Sequence, residues 1–278
     1  MGILSIQSSV AAGYVGNSAA VFPLQRLGFD VWRVDTVVFS NHPAHGRHKG
    51  RIVASGDVEA LLTGLEELGL WPRCEAVISG YLGTAETGRI ITDAVARIRA
   101  ARKDVLYLCD PVIGDQGRRY VEERIVDFYR EHGIPAADLV TPNAFEAHIL
   151  TGIGTSTVEG ALAAARALRG MGPRIAVVTG VFEQGLAATV AADEAGAWRV
   201  AAPRLPVPGY GAGDTFAALL LGHLLRKADL PEALSRAVSA VHAVLAADVS
   251  GNAPDLPLIA AQDSLLSPPR LYSAVPIG

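Results

Sequence analysis

The 278-residue sequence has only two cysteines, Cys74 and Cys109, and they do not form a CxxC pair. A disulfide-stapled fold and a cysteine-ligated zinc site are therefore both disfavoured, and a reducing cytoplasm is the expected location. The sequence also lacks a hydrophobic run near the ~20 residues that a membrane-spanning helix needs. Its first basic residue is Arg26, so the cationic start of a signal peptide is missing as well.

The sequence also lacks an excess of basic residues. The chain has 24 Lys and Arg residues against 28 Asp and Glu residues, which gives a formal net charge of −4. Proteins that bind duplex nucleic acid need a basic face that displaces counterions, so nucleic acid is not an expected partner. Half of the residues are hydrophobic and 19% are charged, a composition that excludes a disordered chain. No repeat or low-complexity linker interrupts the sequence, and we expect one domain over residues 1–278.

Short β-branched runs alternate with longer Ala- and Leu-rich stretches along the chain. This alternation predicts a mostly parallel sheet with helices on both faces. The first helix is predicted over 19–27 with Asn17 or Ser18 as its cap, and the last over 230–249. In open α/β sheets the carboxyl ends of the strands line the ligand crevice. The predicted strands end at Ser8, Gly80, Asp110, Thr141 and Thr179.

The most informative motif is the run GYGAGD at residues 209–214, which precedes a strongly apolar predicted helix. Glycines allow backbone N–H groups to point inward, and the first turn of a helix has unpaired N–H donors and a partial positive charge. Together these features suit the binding of phosphate. A carboxylate at Asp214 would repel phosphate unless it accepts a proton from a hydroxyl that attacks the phosphorus. The structural alternative is an ordinary helix N-cap.

Other phosphate-binding loops are missing from the sequence. It contains neither GxxxxGK[ST] nor the catalytic motifs of protein kinases, and the glycine turn at 13–16 does not match GxGxxG. A nucleotide must therefore be bound through the late glycine loop.

A second motif, TPNAFE, occupies residues 141–146. Asn143 suits the cap of a helix and Glu146 its capping-box partner, and this structural interpretation accounts for both residues. The functional alternative is that they hold a water-clad Mg²⁺, which prefers one or two protein oxygens together with water and phosphates. Asp110 follows a buried strand, where an unpaired carboxylate is costly. We favour a role for Asp110 beside a metal or phosphate, with a structural salt bridge as the alternative.

The segment 41–51, NHPAHGRHKGR, is the most polar and least regular part of the first half, and it is a candidate flap. His42, His45 and His48 recur every three residues within it. The proline and glycine between them favour a loop over a helical metal face, and no cysteine or carboxylate completes a ligand set. Tyr81, in the run SGYLG, suits stacking on a flat ligand, although covering the core is an equally good role.

Several short motifs lie along nearly the whole chain: NSAA at 17–20, FSNH at 39–42, SGYLG at 79–83, NAFE at 143–146 and GAGD at 211–214. The last two resemble the ribokinase-like superfamily in general. The first three resemble more specifically the bacterial pyridoxamine/pyridoxal kinases within it. The resemblance implies a ribokinase-like three-layer α/β/α fold, with a central, mostly parallel sheet and a small flap over the site.

The resemblance also implies an activity, namely ATP- and Mg²⁺-dependent phosphorylation of the 5′-hydroxymethyl group of pyridoxal or a related B6 vitamer, in pyridoxal 5′-phosphate salvage. A homodimer and activation by K⁺ are common in the family. Asp214 would be the catalytic base, with the backbone of Gly211, Ala212 and Gly213 as the anion hole. The implied vitamer-binding residues are Ser8, Phe39, His42, Pro43, Ala44 and Tyr81. The implied ATP-binding residues are Asp110, Thr141, Asn143, Glu146 and Thr179, of which Asp110 and Glu146 would also hold Mg²⁺ through water.

Two features depart from the family pattern. Pro43 and Ala44 follow FSNH where relatives usually have a threonine, and the loss of one neutral hydrogen bond costs about 0.5–1.5 kcal/mol. Thr179 stands where some relatives have a lysine on the ATP side. Two other functions therefore remain open. One is a kinase for hydroxymethylpyrimidine or another small alcohol, such as a sugar, and the other is a non-catalytic protein that binds B6 vitamers.

Overall fold

A ten-stranded sheet forms the centre of the described chain. The computed structural model describes residues 2–115, 117–207, 209–248 and 255–278. The sheet contains β1 (Gly2–Val10), β2 (Asp30–Phe39), β3 (Gly50–Ile52), β4 (Cys74–Ser79), β5 (Leu106–Cys109), β8 (Leu139–Val140), β9 (Ile175–Glu183), β10 (Leu186–Ala192), β11 (Ala197–Pro203) and β12 (Val275–Pro276). A separate hairpin is formed by β6 (Gly114–Asp115) and β7 (Arg118–Arg119).

Helices cover both faces of this sheet. They are α1 (Asn17–Arg26), α2 (Ser55–Glu67), α3 (Ala85–Ala101), α4 (Glu123–Phe128), α5 (Ile134–Ala136), α6 (Ala144–Thr151), α7 (Val158–Gly170), α8 (Ala212–Leu225) and α9 (Leu230–Ala246). One hydrophobic core lies under α2, α3, α4, α6 and α7, and a second lies under α1, α8 and α9. The predicted three-layer α/β/α fold is therefore confirmed. Within the described ranges, no helix is both long and apolar enough to cross a bilayer.

The strand order creates a crevice beside β1. The order is β12-β11-β10-β9-β8-β5-β4-β1-β2-β3, and the strands from β9 to β2 run parallel. From β1 the chain moves to β2 on one side and later crosses to β4, β5, β8 and β9 on the other side. At such a reversal the connecting loops diverge, which leaves a ligand crevice at the carboxyl ends of the strands.

The first helix begins differently from its prediction. Gly16, with φ 54°, precedes α1, and neither Asn17 nor Ser18 caps it, because both lie inside the helix. Asn17 is instead buried between the helix and the first two strands. Its Nδ2 donates to the Val34 carbonyl at 2.9 Å and to the Asp35 carboxylate at 2.8 Å, and its Oδ1 accepts from a serine hydroxyl of β1. The side chain thus ties the start of α1 to the sheet.

We expect Asn17→Ala to lower the free energy of unfolding by about 1–3 kcal/mol, because it leaves buried polar groups without partners. Urea unfolding monitored by circular dichroism measures the change. Thr92→Ala is the control, since the Thr92 hydroxyl donates to the Arg89 carbonyl at an exposed position of α3. Equal midpoints for the two variants would contradict the role of Asn17.

Other boundaries also differ from prediction. The strand predicted to end at Thr179 continues to Glu183, because β10 pairs with it antiparallel and supplies its hydrogen bonds. Helix α8, predicted over residues 214–227, begins two residues earlier, at Ala212, and ends at Leu225. The last helix ends at Ala246, and the predicted end at residue 249 lies outside the described residues. Helix α2 was not predicted, and its packing shows that tertiary contacts offset the two glycines within it.

Candidate functional site

The glycine loop places Asp214 in the first turn of α8, at the carboxyl edge of the sheet. Gly211 is the N-cap, with φ 81° and ψ −3°. A Cβ at this position would overlap the carbonyl oxygen of Tyr14, so glycine is required by both conformation and space. The interpretation of Asp214 as an ordinary N-cap is therefore wrong. Its carboxylate lies at the positive end of the helix, beside the N–H groups of Gly211 and Gly213. The N–H of Ala212, which was predicted to belong to the anion hole, donates instead to the Gly209 carbonyl at 2.9 Å.

The carboxylate of Asp214 is held in place by the backbone. It accepts hydrogen bonds from the N–H of Gly16 and from its own N–H, and it is half-buried. Burial raises the pKa of Asp214 above the ordinary aspartate value, and the two backbone bonds oppose this shift. A carboxylate with a raised pKa is a stronger base than an exposed aspartate.

Gly16 is a site residue that the sequence reasoning missed. A Cβ on Gly16 would overlap the carbonyl oxygen and hydroxyl of Ser8, so only glycine brings the turn against β1. The same residue donates its N–H to Asp214. Gly16 therefore places Ser8 and the Asp214 carboxylate next to each other. The signal in the sequence is the glycine turn at 13–16, although its spacing does not match a dinucleotide motif.

Two further carboxylates, Asp110 and Glu146, lie across the crevice, and Asp110 is near enough to Asp214 for their charges to interact. Asp110 is 7% exposed, and its Oδ1 accepts from the Thr141 hydroxyl at 3.0 Å. Burial, followed by the negative charges of Glu146 and Asp214, raises the pKa of Asp110 well above its ordinary value. No basic group acts on it within the described ranges, so the salt bridge considered as an alternative is absent there. The crevice thus brings acidic groups together, and their mutual repulsion favours the protonated form of Asp110.

Glu146 forms the predicted capping box with Asn143. The Asn143 side chain accepts from the N–H of Glu146 at 2.9 Å, and Glu146 Oε2 accepts from the N–H of Asn143 at 2.8 Å. The capping interpretation is confirmed. In addition, Glu146 Oε1 accepts from the N–H groups of Ile113 and Gly114. Burial raises the pKa of Glu146 to about 8, although these backbone bonds lower it.

The five residues predicted on the ATP side lie in one continuous network. Thr141 bonds to Asp110, and Asn143 bonds to Glu146. Thr179 pairs with Asn143 in an isolated parallel bridge, and its N–H donates to the backbone between Thr141 and Asn143. Thr179 is half-buried within β9. The tertiary structure therefore gathers residues that are up to 69 positions apart, since Asp110 and Thr179 are the ends of the set.

The residues predicted to bind the vitamer lie across the crevice, on the β1, β2 and β4 side. Tyr81 is half-buried, and burial raises the pKa of its hydroxyl. Its carbonyl accepts from the Thr36 hydroxyl, which ties the loop after β4 to β2. The Phe39 ring lies 4.7 Å from the His48 ring, at an angle of 49°. These contacts give this side of the crevice flat aromatic surfaces.

The predicted flap, residues 41–51, lies against the glycine loop. The ring of His42 lies 4.6 Å from that of Tyr210. Pro43 begins a 3₁₀ turn that ends at His45. The proline stands at a position where an N–H is unsatisfied anyway, so its missing donor costs nothing within the turn. The N–H of Ala44 donates to His42 Nδ1 at 3.3 Å.

The arrangement suits the transfer of a phosphoryl group to an alcohol. The N–H groups of Gly211 and Gly213 at the start of α8 can hold phosphate oxygens, and Asp214 can accept the proton of a hydroxyl beside them. The acids Asp110 and Glu146 lie on the opposite side, where they can hold a hydrated cation that bridges phosphates. The aromatic side chains next to Ser8 can cover a flat ring.

Comparisons with known proteins agree with this chemistry. The family model described as phosphomethylpyrimidine kinase matches residues 66–258. The chain is 50% identical over 275 residues to pyridoxal kinase PdxY of Rubrobacter xylanophilus, covering 97% of this chain and 95% of that protein. It is 42% identical over 283 residues to pyridoxal kinase PdxY of Leifsonia xyli, covering both chains fully.

Solved structures give the same result. Pyridoxal kinase from Leishmania donovani, in complex with ADP and pyridoxine, superposes with a TM-score of 0.94 at 30% identity, covering 100% of this chain and 99% of that chain. Pyridoxal kinase from Entamoeba histolytica superposes with a TM-score of 0.93 at 26% identity, covering 99% of each chain. The similarity therefore extends over the whole fold and includes both sides of the crevice.

Proposed function

Because this chain belongs to the pyridoxal kinase family, we propose that it transfers the γ-phosphoryl group of ATP to the 5′-hydroxymethyl group of a B6 vitamer. The observation that carries this function is the position of Asp214, a carboxylate with a raised pKa in the first turn of α8, directly after the glycine loop. The related Leishmania donovani enzyme has been solved with ADP and pyridoxine and with ADP and pyridoxamine. The reaction class and the site geometry therefore agree.

In the proposed mechanism, Asp214 accepts the proton of the 5′-hydroxyl as its oxygen attacks the γ-phosphorus in line with the departing ADP. The N–H groups of Gly211 and Gly213 stabilise the negative charge on the equatorial oxygens. Ala212 lies in the same turn, but its N–H donates to the Gly209 carbonyl at 2.9 Å and is not assigned to the anion hole. The positioning of the vitamer hydroxyl against the γ-phosphorus supplies most of the rate enhancement. The general base contributes a factor of roughly 10²–10⁴.

The acidic side of the crevice fits the Mg²⁺ that ATP carries. A carboxylate has about four acceptor positions, and Glu146 uses three of them for backbone N–H groups. The remaining position suits a metal-bound water. Among the described residues, no group of three or more His, Cys, Asp or Glu side chains could hold a metal by itself. Mg²⁺ needs only one or two carboxylates when phosphates and water complete its shell, so we assign it to Asp110 and Glu146. When bound, it neutralises phosphate charge.

The acid pair gives the protein a defined pH dependence. A carboxylate whose pKa rises on folding stabilises the fold below its unfolded value, and this contribution is lost as the pH rises through the folded value. For Glu146 the loss extends from its ordinary pKa of 4.5 to about 8, and Asp110 shifts in the same direction. We therefore expect Mg²⁺ to raise the melting temperature more at about pH 9 than at about pH 6, because the cation and the proton compete.

Differential scanning fluorimetry with and without MgCl₂ measures this difference. In Glu146→Gln we expect a smaller pH dependence and a higher Mg²⁺ requirement for activity. Asp93→Asn, on the exposed face of α3, is the control. If activity depends on the Mg²⁺ concentration identically in Glu146→Gln and the wild type, then Glu146 only caps α6 and does not help to hold Mg²⁺.

On the acceptor side we assign the vitamer ring to the space bounded by Ser8, Phe39, Tyr81 and the flap residues His42, Pro43 and Ala44. Ser8 offers a hydroxyl to the polar edge of the pyridine ring. The N–H of Ala44 is already donated to His42, so the flap turn offers its ligand the ring of His42 rather than this N–H. The departures at positions 43 and 44 should therefore affect substrate affinity before they affect the chemistry.

A substrate panel tests the function. ATP consumption is measured side by side with pyridoxal, pyridoxamine, pyridoxine and hydroxymethylpyrimidine, in K⁺ and in Na⁺ buffers. We expect a B6 vitamer to be the preferred acceptor. Hydroxymethylpyrimidine is included because the family model that matches residues 66–258 is described for a phosphomethylpyrimidine kinase. Tight binding of pyridoxal 5′-phosphate without ATP turnover would instead indicate a non-catalytic vitamer-binding protein.

We further propose that the protein acts as a homodimer in the cytoplasm. The edge strand β3 is exposed, and Val38 and Ile52 on the β2–β3 ribbon are 42% and 46% exposed. An exposed edge with apolar side chains favours burial against a second copy. Both cysteine thiols are buried and free, which suits a reducing compartment. Sedimentation equilibrium tests the dimer, and a monomer at micromolar concentration would contradict it.

A further inference from the structure

One exposed aromatic ring joins the flap to the glycine loop. Tyr210 is 38% exposed, although it lies next to the N-cap of α8. Its ring lies 4.6 Å from that of His42, at 34°, and 6.2 Å from that of His45, at 71°. The two histidine rings lie 6.0 Å apart at 73°. The three rings therefore form a small aromatic cluster over the mouth of the crevice.

The flap has internal order that makes such a contact useful. The Asn41 side chain donates to the carbonyls of His42 and Arg47, and its Oδ1 accepts from the Ser40 hydroxyl. Ser40 in turn accepts from the N–H of Lys49. These hydrogen bonds connect the first residues of the flap to Arg47 and Lys49 near its end. A ring that contacts His42 therefore restrains the whole flap.

The His42 ring has a defined tautomer. Its Nδ1 accepts from the N–H of Ala44, which leaves the proton of the neutral ring on Nε2. Burial, then the neighbouring His45, lowers the pKa of His42, while Asp255 opposes the shift. The ring therefore stays neutral near pH 7, with one N–H donor. A stacked neutral ring keeps that donor at a fixed position.

Tyr210 itself belongs to the glycine loop, to which the proposed function assigns phosphate binding. Tyr210 directly precedes Gly211, whose Cα is packed against the Tyr14 carbonyl. Asp214 lies four residues after Tyr210, in the first turn of α8. A second link to the flap comes from Asp255, whose Oδ1 lies 3.7 Å from His45 Nε2 and whose carboxylate lies against Gly13. The ring of Tyr210 is the link that stands directly beside Gly211.

We propose that Tyr210 is a positioning residue for phosphoryl transfer: its ring holds His42 and the flap over the reacting centre, so that the vitamer hydroxyl reaches the γ-phosphorus and water does not. This inference rests on the proposed function. Without the ring, water attacks the γ-phosphorus, the bond from that phosphorus to the oxygen of ADP breaks, and inorganic phosphate and a proton are released. The variant enzyme would therefore consume more ATP than the vitamer phosphate it forms.

The test compares Tyr210→Ala with Tyr210→Phe, which keeps the ring. For Tyr210→Ala we expect the KM for pyridoxal to rise about two- to twelvefold, the factor that one aromatic pair contributes. We also expect the ratio of ADP formed to pyridoxal 5′-phosphate formed to rise above one. Tyr210→Phe should match the wild type in both. If Tyr210→Ala folds poorly, Tyr210→Leu is used in its place, because leucine keeps apolar volume without the flat ring.

A double-mutant cycle with His42→Ala tests whether Tyr210 acts through that histidine. In the His42→Ala background, Tyr210→Ala should add little to the change in KM. Fully additive effects, or a Tyr210→Ala enzyme with an unchanged KM and a ratio of one, would overturn the inference. If the wild type phosphorylates no vitamer, the proposed function fails first, and the two failures are therefore distinguishable.

Discussion

Asp214→Asn is expected to reduce kcat by roughly 10²–10⁴, while the affinity for ATP stays close to that of the wild type. The amide keeps the shape of the carboxylate at the start of α8 but cannot accept the proton of the attacking hydroxyl. Steady-state kinetics with pyridoxal measures the first quantity, and nucleotide binding in the absence of acceptor measures the second. Asp93→Asn is the matched control, because it makes the same change on the exposed face of α3.

The pH profile gives an independent check on the same residue. Burial raises the pKa of Asp214, so the acidic limb of wild-type kcat should have its midpoint above the ordinary value of 3.8. The base works only when deprotonated, so the rate rises with pH through this limb. In Asp214→Asn the limb should disappear from the residual activity. Wild-type turnover by this variant would remove Asp214 from the mechanism.

Gly211→Ala is expected to reduce kcat/KM by about 10² or more, the loss that follows from a misplacement of about 1 Å at a reacting centre. The left-handed backbone at φ 81° costs a non-glycine residue about 1–3 kcal/mol. More important, the added Cβ overlaps the backbone carbonyl of Tyr14, which no rotamer change relieves. The loop must move, and its N–H groups then no longer point toward the place where the proposed mechanism puts the phosphate oxygens.

Gly64→Ala provides the comparison for this substitution. Gly64 lies inside α2, and a Cβ there would meet nothing within 4 Å. We expect unchanged kinetics and a slightly raised melting temperature, because alanine is the better helix former. Kinetics and thermal unfolding are measured on both variants. If Gly211→Ala behaved like Gly64→Ala, the glycine loop would have no special geometric role.

Features that depend on neighbours in the chain followed from the sequence alone. The alternation of apolar runs gave the three-layer fold, because each strand and helix carries its own hydrophobic periodicity. The capping box of Asn143 and Glu146 was also predictable, since its two hydrogen bonds span only three residues. The same holds for the glycine loop, whose Gly211 adopts the left-handed conformation that few other residues tolerate.

Properties that depend on distant neighbours were decided only by the tertiary structure. The sequence identified Asp214, but the Gly16 N–H that orients it and the burial that raises its pKa come from a loop almost 200 residues away. Thr179 lies inside a strand rather than at its end, because β10 extends the pairing. Tyr210 meets the flap only after the sheet has brought its carboxyl edge together. Electrostatics and close packing act through space, so local sequence patterns carry no record of them.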